Sequence, residues 1–189
     1  MGSEMCIRDS TIHCGKAHFG ANNTPGEDPL KMGFEANIAG HAAGSPASYY
    51  GKENFGNKPD GKSPLAAVPG LEKYHGTDTF LSEALTLEAE KALNNAQKSD
   101  KHFFLYMAHY AVHTPIQPDL RFYQKYIDKE LPPVEAAYAT LIEGMDKSLG
   151  DLMDYLKENN LEDNTVILFM SDNGGLAAHT RAGQLHVQN

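Results

Sequence analysis

At 189 residues, with 41% hydrophobic and 22% charged residues, the chain is long enough for one domain with a substantial core and short for two. Its formal net charge is −9; sixteen acidic residues stand against eight basic ones between positions 76 and 165, and six against six between 11 and 75. The acidity therefore belongs to helix surfaces, and the basic footprint of a nucleic-acid binder is absent.

The first ten residues, "MGSEMCIRDS", show neither helical nor alternating periodicity and are read as a non-native start, which leaves 11–189 for fold reasoning. No positively charged start leads into an apolar stretch, so no signal peptide is visible, and apolar runs such as 103–108 and 166–170 are far below the roughly 20 residues of a membrane span. Cys6 and Cys14 lie eight apart without metal-ligand or disulfide-framework spacing.

Residues 11–14 read as a short strand ending at "GKAHFG". From Gly15 to Gly76 the chain holds eleven of its 17 glycines and six of its ten prolines. The aromatics Phe34, Tyr49, Tyr50 and Phe55 in this long connection favour an ordered binding surface over disorder. A helix follows, capped by Thr77 or Asp78, with Phe80, Leu81, Ala84, Leu85, Leu87 and Ala92 as its apolar stripe. Residues 102–108, "HFFLYMA", form the next buried-strand candidate, and 118–126 a short helix. A longer helix starts near Pro133, where Tyr138, Leu141, Met145, Leu149, Leu152 and Leu156 step by three or four along one face. "ENNLEDN" ends it, and 166–170, "VILFM", reads as a third buried strand. The order strand, long loop, helix, strand, helices, strand predicts an α/β sandwich with a largely parallel sheet.

Ligands of such sheets collect beyond the carboxyl ends of strands, and three polar clusters occupy that position. Lys16 and His18 pair a fixed cation with a proton carrier, suited to an anionic group; on an extended chain they share a side. His109 and His113 stand at i and i+4, but Pro115 pushes Thr114 out of helical conformation. His113 then reads as an isolated site histidine and His109 as structural. Asp172 and Asn173 offer hard oxygens for Ca²⁺ or Mg²⁺, with two glycines behind them; an ordinary Asp-Asn-Gly-Gly turn is the alternative.

Together, "GKAHFG", "FFLYMAHYAVHTP" and "NTVILFMSDNGG" resemble three ordered motifs of the sulfatase family within the alkaline-phosphatase-like superfamily. The segment "GFEANIAGHAAGSPASYY" resembles a loop of bacterial sulfatases acting on sulfated carbohydrates. The resemblance covers residues 11–189, implying that they are part of a sulfatase N-terminal catalytic domain with an alkaline-phosphatase-like α/β fold, incomplete at both ends of this chain.

The implied reaction is R–O–SO₃⁻ plus water giving R–OH and sulfate, with a sulfated small molecule or carbohydrate as partner. Lys16 would bind a sulfate oxygen and help hold the nucleophile. His18 would handle the proton of that nucleophile, a hydrated formylglycine, and His113 would contact the sulfate and protonate the leaving alcohol. Asp172 and Asn173 would ligate a Ca²⁺. Relatives are commonly exported, which implies a periplasmic or extracellular parent.

The chain departs from the family where Ala17 replaces a common tryptophan, implying a wider pocket. It also lacks the Cys/Ser-x-Pro-x-Arg nucleophile motif: Cys6 precedes Ile-Arg-Asp and Cys14 precedes Gly-Lys-Ala. The sequence is accordingly read as an internal slice of a sulfatase, inactive by itself. The alternatives are a phosphatase, phosphodiesterase or phosphonate hydrolase of the same superfamily, or a non-catalytic carbohydrate-binding chain.

Overall fold

The run Thr11–Ile12–His13–Cys14 has the β-branched and apolar character of a pleated strand, and in the computed structural model it lies inside β1 (Asp9–Gly15). The structure describes residues 9–99, 101–177 and 185. The chain divides into two units, Met1–Tyr110 and Ala111–Asn189.

In the first unit β1 is the central strand of a three-stranded sheet, flanked by β2 (Ala36–Ile38) and β3 (His102–Ala108) in the order β2-β1-β3. Both pairings are parallel, with Ile12 opposite Ala36 on one side and Leu105 on the other. The parallel sheet expected from the sequence is therefore present. Helix α1 (Leu81–Lys98) packs on all three strands. Its buried stripe is Leu81, Leu85, Ala89 and Leu93, one residue every four, each at most 2% exposed. Burying each of these leucines is worth roughly 1.5–3 kcal/mol. Cys14 is a free thiol packed under this helix, its Sγ donating to the Leu85 carbonyl at 3.4 Å, and burial pushes its pKa up.

The long connection is ordered. It contains 3₁₀ turns at Pro25–Glu27, Pro29–Met32, Gly51–Gly56 and Glu72–Tyr74, and it sends Tyr49, Tyr50, Phe55, Val68 and Leu71 into the core.

In the second unit, α2 (Leu120–Ile127) packs on α3 (Pro133–Glu158). Pro133 occupies the first turn of α3, where its missing N–H removes no helical bond. Tyr138, Leu141 and Leu156 are buried as their spacing predicts. The two helices are joined through Asp119, which is 1% exposed and caps α2. Its carboxylate accepts from the Arg121 amide at 3.1 Å and from the guanidinium at 2.9 and 2.6 Å, while its own N–H donates to Thr140 Oγ1 at 2.9 Å. No described helix is long and apolar enough to cross a membrane.

Four expectations need correction. The residue at the N-cap of α1 is Phe80, with no side-chain cap, because Thr77 bonds the Tyr74 carbonyl and Thr79 while Asp78 pairs with Lys52. Leu87 of the proposed stripe is 39% exposed, being off the face that Leu85 and Ala89 define. β3 is not buried on both faces: His102, Phe104 and Tyr106 alternate outward, with Phe104 and Tyr106 54% and 42% exposed. Residues 166–170 form no ladder among the described residues, and their exposures run from 46% to 86%. An apolar run becomes a buried strand only where a partner edge completes its hydrogen bonds.

Candidate functional site

β1 ends at Gly15, whose φ of +103° turns the chain directly over the end of β3. The Lys16 N–H then donates to the Ala108 carbonyl at 2.7 Å, so Lys16 is fixed at the carboxyl edge of the sheet. Ala17 is buried, Lys16 half-buried and His18 exposed. The extended geometry assumed for this tripeptide is broken at His18, which has a left-handed φ of 54°. A non-glycine residue there is held by its surroundings.

Those surroundings come from the segment after β2. The His18 N–H donates to the His41 carbonyl at 3.1 Å. Gly40 and Asn37 bond reciprocally, Gly40 N–H to Asn37 Oδ1 at 3.0 Å and Asn37 Nδ2 to the Gly40 carbonyl at 2.9 Å. The Ala43 N–H donates to His41 Nδ1 at 3.2 Å, and the buried Tyr110 hydroxyl donates to the Ala39 carbonyl at 2.8 Å. Sequence reading assigned no role to His41 or Gly44; the Asn-x-x-Gly and Gly-His-x-x-Gly spacings in 37–44 were the available signal.

His13 lies beneath this edge, fully buried, with Nε2 3.2 Å from the Lys16 carbonyl and its ring against Phe19, Phe34 and Tyr106. Burial lowers its pKa, opposed by the Lys16 carbonyl. His41 is lowered by burial too, opposed by the charge of Glu27. Burial pushes His109 down to about 4, and its buried Nδ1 has no hydrogen-bond partner. A neutral, enclosed ring is what a structural histidine requires.

Residues 109–119 are non-helical. The i, i+4 pair at His109 and His113 therefore shares no helix face, and His113 sits exposed in a loop with Nδ1 3.1 Å from the Thr114 carbonyl.

Asp172 and Asn173 stand in an exposed turn closed by two local bonds, Asn173 N–H to Asp172 Oδ1 at 2.8 Å and Gly174 N–H to Ser171 Oγ at 2.9 Å. The Leu176 N–H donates to the Tyr138 hydroxyl at 2.9 Å, tying this turn to α3. As calcium ligands the two side chains fit in kind, both being hard oxygens, but not in number, since the ion takes six to eight. Among the described residues no group of three or more His, Cys, Asp or Glu could hold a metal. One of the two carboxylate oxygens is already engaged by its neighbour's amide.

Comparison with known proteins places these local sites in context. The Sulfatase family model matches residues 8–187. The chain is 32% identical over 124 residues to a sulfatase of Formosa agariphila, covering 60% of this chain and 22% of that protein. It is 32% identical over 151 residues to the uncharacterized sulfatase YdeN of Escherichia coli, covering 78% and 24%. A crystal structure of Ps i-CgsB in complex with k-i-k-neocarrahexaose superposes with a TM-score of 0.63 at 26% identity, over 82% of this chain and 35% of that one. The chain thus spans less than a quarter of the length of these two curated relatives. The likeness bears out the expected alkaline-phosphatase-like α/β fold.

Proposed function

Because the chain belongs to the sulfatase family, we propose that the protein it represents hydrolyses sulfate esters of carbohydrates. The balanced reaction is R–O–SO₃⁻ + H₂O → R–OH + SO₄²⁻ + H⁺. The observation that carries the reading is the delivery of Lys16 and His18 by β1 to the carboxyl edge of a parallel sheet, where α/β proteins bind ligands. An oligosaccharide bound to the Ps i-CgsB neighbour supports a carbohydrate substrate.

In this proposal Lys16 neutralises a sulfate oxygen and steadies the nucleophile, and His18 carries the nucleophile's proton. His113 contacts the sulfate and protonates the departing alkoxide, removing the charge that makes it a poor leaving group. Lys16 supplies the fixed positive charge that a developing sulfuryl transition state requires. The nucleophile itself is proposed to be a formylglycine, and no Cys/Ser-x-Pro-x-Arg motif for it occurs in the 189 residues. A bound Ca²⁺ would supply Lewis-acid polarisation. Asp172 and Asn173 are proposed as two of its oxygen ligands, with the others coming from elsewhere in the protein. The 189-residue chain by itself is proposed to be inactive.

The full-length protein, assayed on paired sulfate and phosphate esters of one alcohol, tests this reading. Sulfate release that His113→Ala lowers by about 10²-fold or more is the expected result for a lost proton donor. Preference for the phosphate ester would overturn it in favour of a phosphatase or phosphodiesterase. Ester-independent binding of a sulfated oligosaccharide, with no turnover, would leave a carbohydrate-binding chain.

A further inference from the structure

Two glycines of the segment after β2 stand where histidine rings leave no room for a side chain. A Cβ built on Gly44 would lie 2.7, 3.0 and 3.1 Å from Nδ1, Cε1 and Cγ of His18, and these are its three nearest atoms. A Cβ on Gly40 would lie 2.7 Å from both Cε1 and Nδ1 of His13 and 2.5 Å from Asn37 Oδ1. Neither glycine has the positive φ that excludes L side chains, whereas Gly33, Gly56, Gly61 and Gly70 nearby all do. The backbone at 44 would accept alanine, but its methyl would meet the imidazole of His18, which must turn aside to admit it.

The same turn also holds the backbone of His18. Its N–H donates to the His41 carbonyl, three residues before Gly44, and supports its left-handed φ of 54°, an uncommon conformation for a residue with a side chain. The turn is itself braced: His41 Nδ1 accepts from Ala43, Gly40 is clasped by Asn37, and Ala39 is pinned by the buried Tyr110 hydroxyl. One braced segment thus holds the backbone of His18 and lies against its ring. General acid–base chemistry depends on a ring held at a set orientation, since misplacement by about 1 Å costs on the order of 10²-fold in rate.

We propose that Gly44 is a positioning residue for His18: the turn from His41 to Gly44 aims the imidazole, and position 44 is glycine because the ring occupies the space of its side chain. This rests on the reading of His18 as the proton carrier of sulfate-ester hydrolysis.

The test separates the seat from the chemistry. In the 189-residue chain, Gly44→Ala is expected to lower the urea midpoint and move the His18 ring resonances in a ¹H–¹³C spectrum. In a His18→Ala background the same substitution is expected to leave the midpoint unchanged or raise it, because a compatible Gly→Ala restricts the unfolded chain. Equal losses in both backgrounds would overturn the seat. Should Gly44→Ala alone fail to fold, folding of the double variant supports the seat and its failure overturns it. In the full-length protein, Gly44→Ala is expected to reduce kcat at least tenfold, with KM changed less than twofold and the pH profile of kcat displaced. Gly150→Ala, which meets nothing within 4 Å, is the control expected to leave both constants in place. An unchanged kcat and pH profile in Gly44→Ala would overturn the positioning role. A full-length protein without sulfate-ester turnover would sink the reading of His18, while the stability cycle would still decide the seat.

Discussion

Replacing Gly15 by alanine should be among the most damaging single changes in the first unit, and its size can be worked from the geometry. A Cβ at 15 would sit 1.9 Å from the Ala108 carbonyl oxygen and 2.8 Å from its carbon, both backbone atoms of β3. Neither can rotate away as a flexible side chain would, so the end of β3 must move or Gly15 must leave its φ of +103°. Holding a non-glycine residue in a sparsely populated region costs roughly 1–3 kcal/mol. Moving the strand end breaks the bond from Lys16 N–H to the same carbonyl, worth about 1 kcal/mol, and strains the packing by roughly another 1–3. The expected loss is therefore about 3–7 kcal/mol. Gly61→Ala isolates the backbone contribution, because Gly61 has φ +72° and nothing within 4 Å; it should cost only about 1–2 kcal/mol. Urea unfolding followed by far-ultraviolet circular dichroism, with m-values compared, measures both. If Gly15→Ala costs no more than Gly61→Ala, the contact with Ala108 does not govern this turn and the reasoning fails.

Three further outcomes follow from the same structure. Asp119→Ala should destabilise the second unit by about 2 kcal/mol, below the 3–5 for a fully buried pair because the Arg121 side chain keeps 32% exposure; calorimetric unfolding of the variant checks it, and a loss under about 0.5 kcal/mol contradicts it. His109, His13 and His41 all have lowered pKa values, so the unfolded state binds protons that the native state refuses. Their contribution is present in full above about 6.5 and is lost as pH falls below it; for His109 the loss runs toward pH 4 and reaches at most about 3 kcal/mol; His109→Gln should flatten that limb in pH-resolved denaturation, and an unchanged slope refutes the assignment. Residues 165–170, "TVILFM", are uncharged, free of proline and glycine, and exposed across their large apolar positions, the composition of a self-associating strand. Leu168→Lys should suppress concentration-dependent light scattering of the 189-residue chain; scattering equal to that of the parent chain would show that association arises elsewhere.

The elements that could be read from the sequence are those whose signal is local and long. β3 follows from seven residues rich in aromatic and apolar side chains, and α3 from a stripe sustained over five turns. β2 was missed because three residues, Ala36–Ile38, carry no periodicity; only pairing with Ile12, His13 and Cys14 makes them a strand. The cap of α1 was misplaced because both candidate residues have stronger partners, Thr77 in its own turn and Asp78 on Lys52. Residues 166–170 show the limit most clearly. Apolarity states that a segment gains by leaving water, but not which edge receives it, and an extended segment stays exposed until its hydrogen bonds are taken up.

The same limit divides the glycines of the candidate site. To a sequence reader Gly15 and Gly44 are both punctuation in a turn-rich stretch, yet they are glycine for different reasons. At Gly15 the backbone demands it, through φ and through a carbonyl of β3. At Gly44 the backbone is ordinary and the demand comes from one ring, 26 positions earlier in the chain. The position of Lys16 and His18 just beyond β1 was legible because a strand end displays its own residues, whatever the rest of the fold does. The demand for glycine at 44 was not, since it exists only once the chain has folded back.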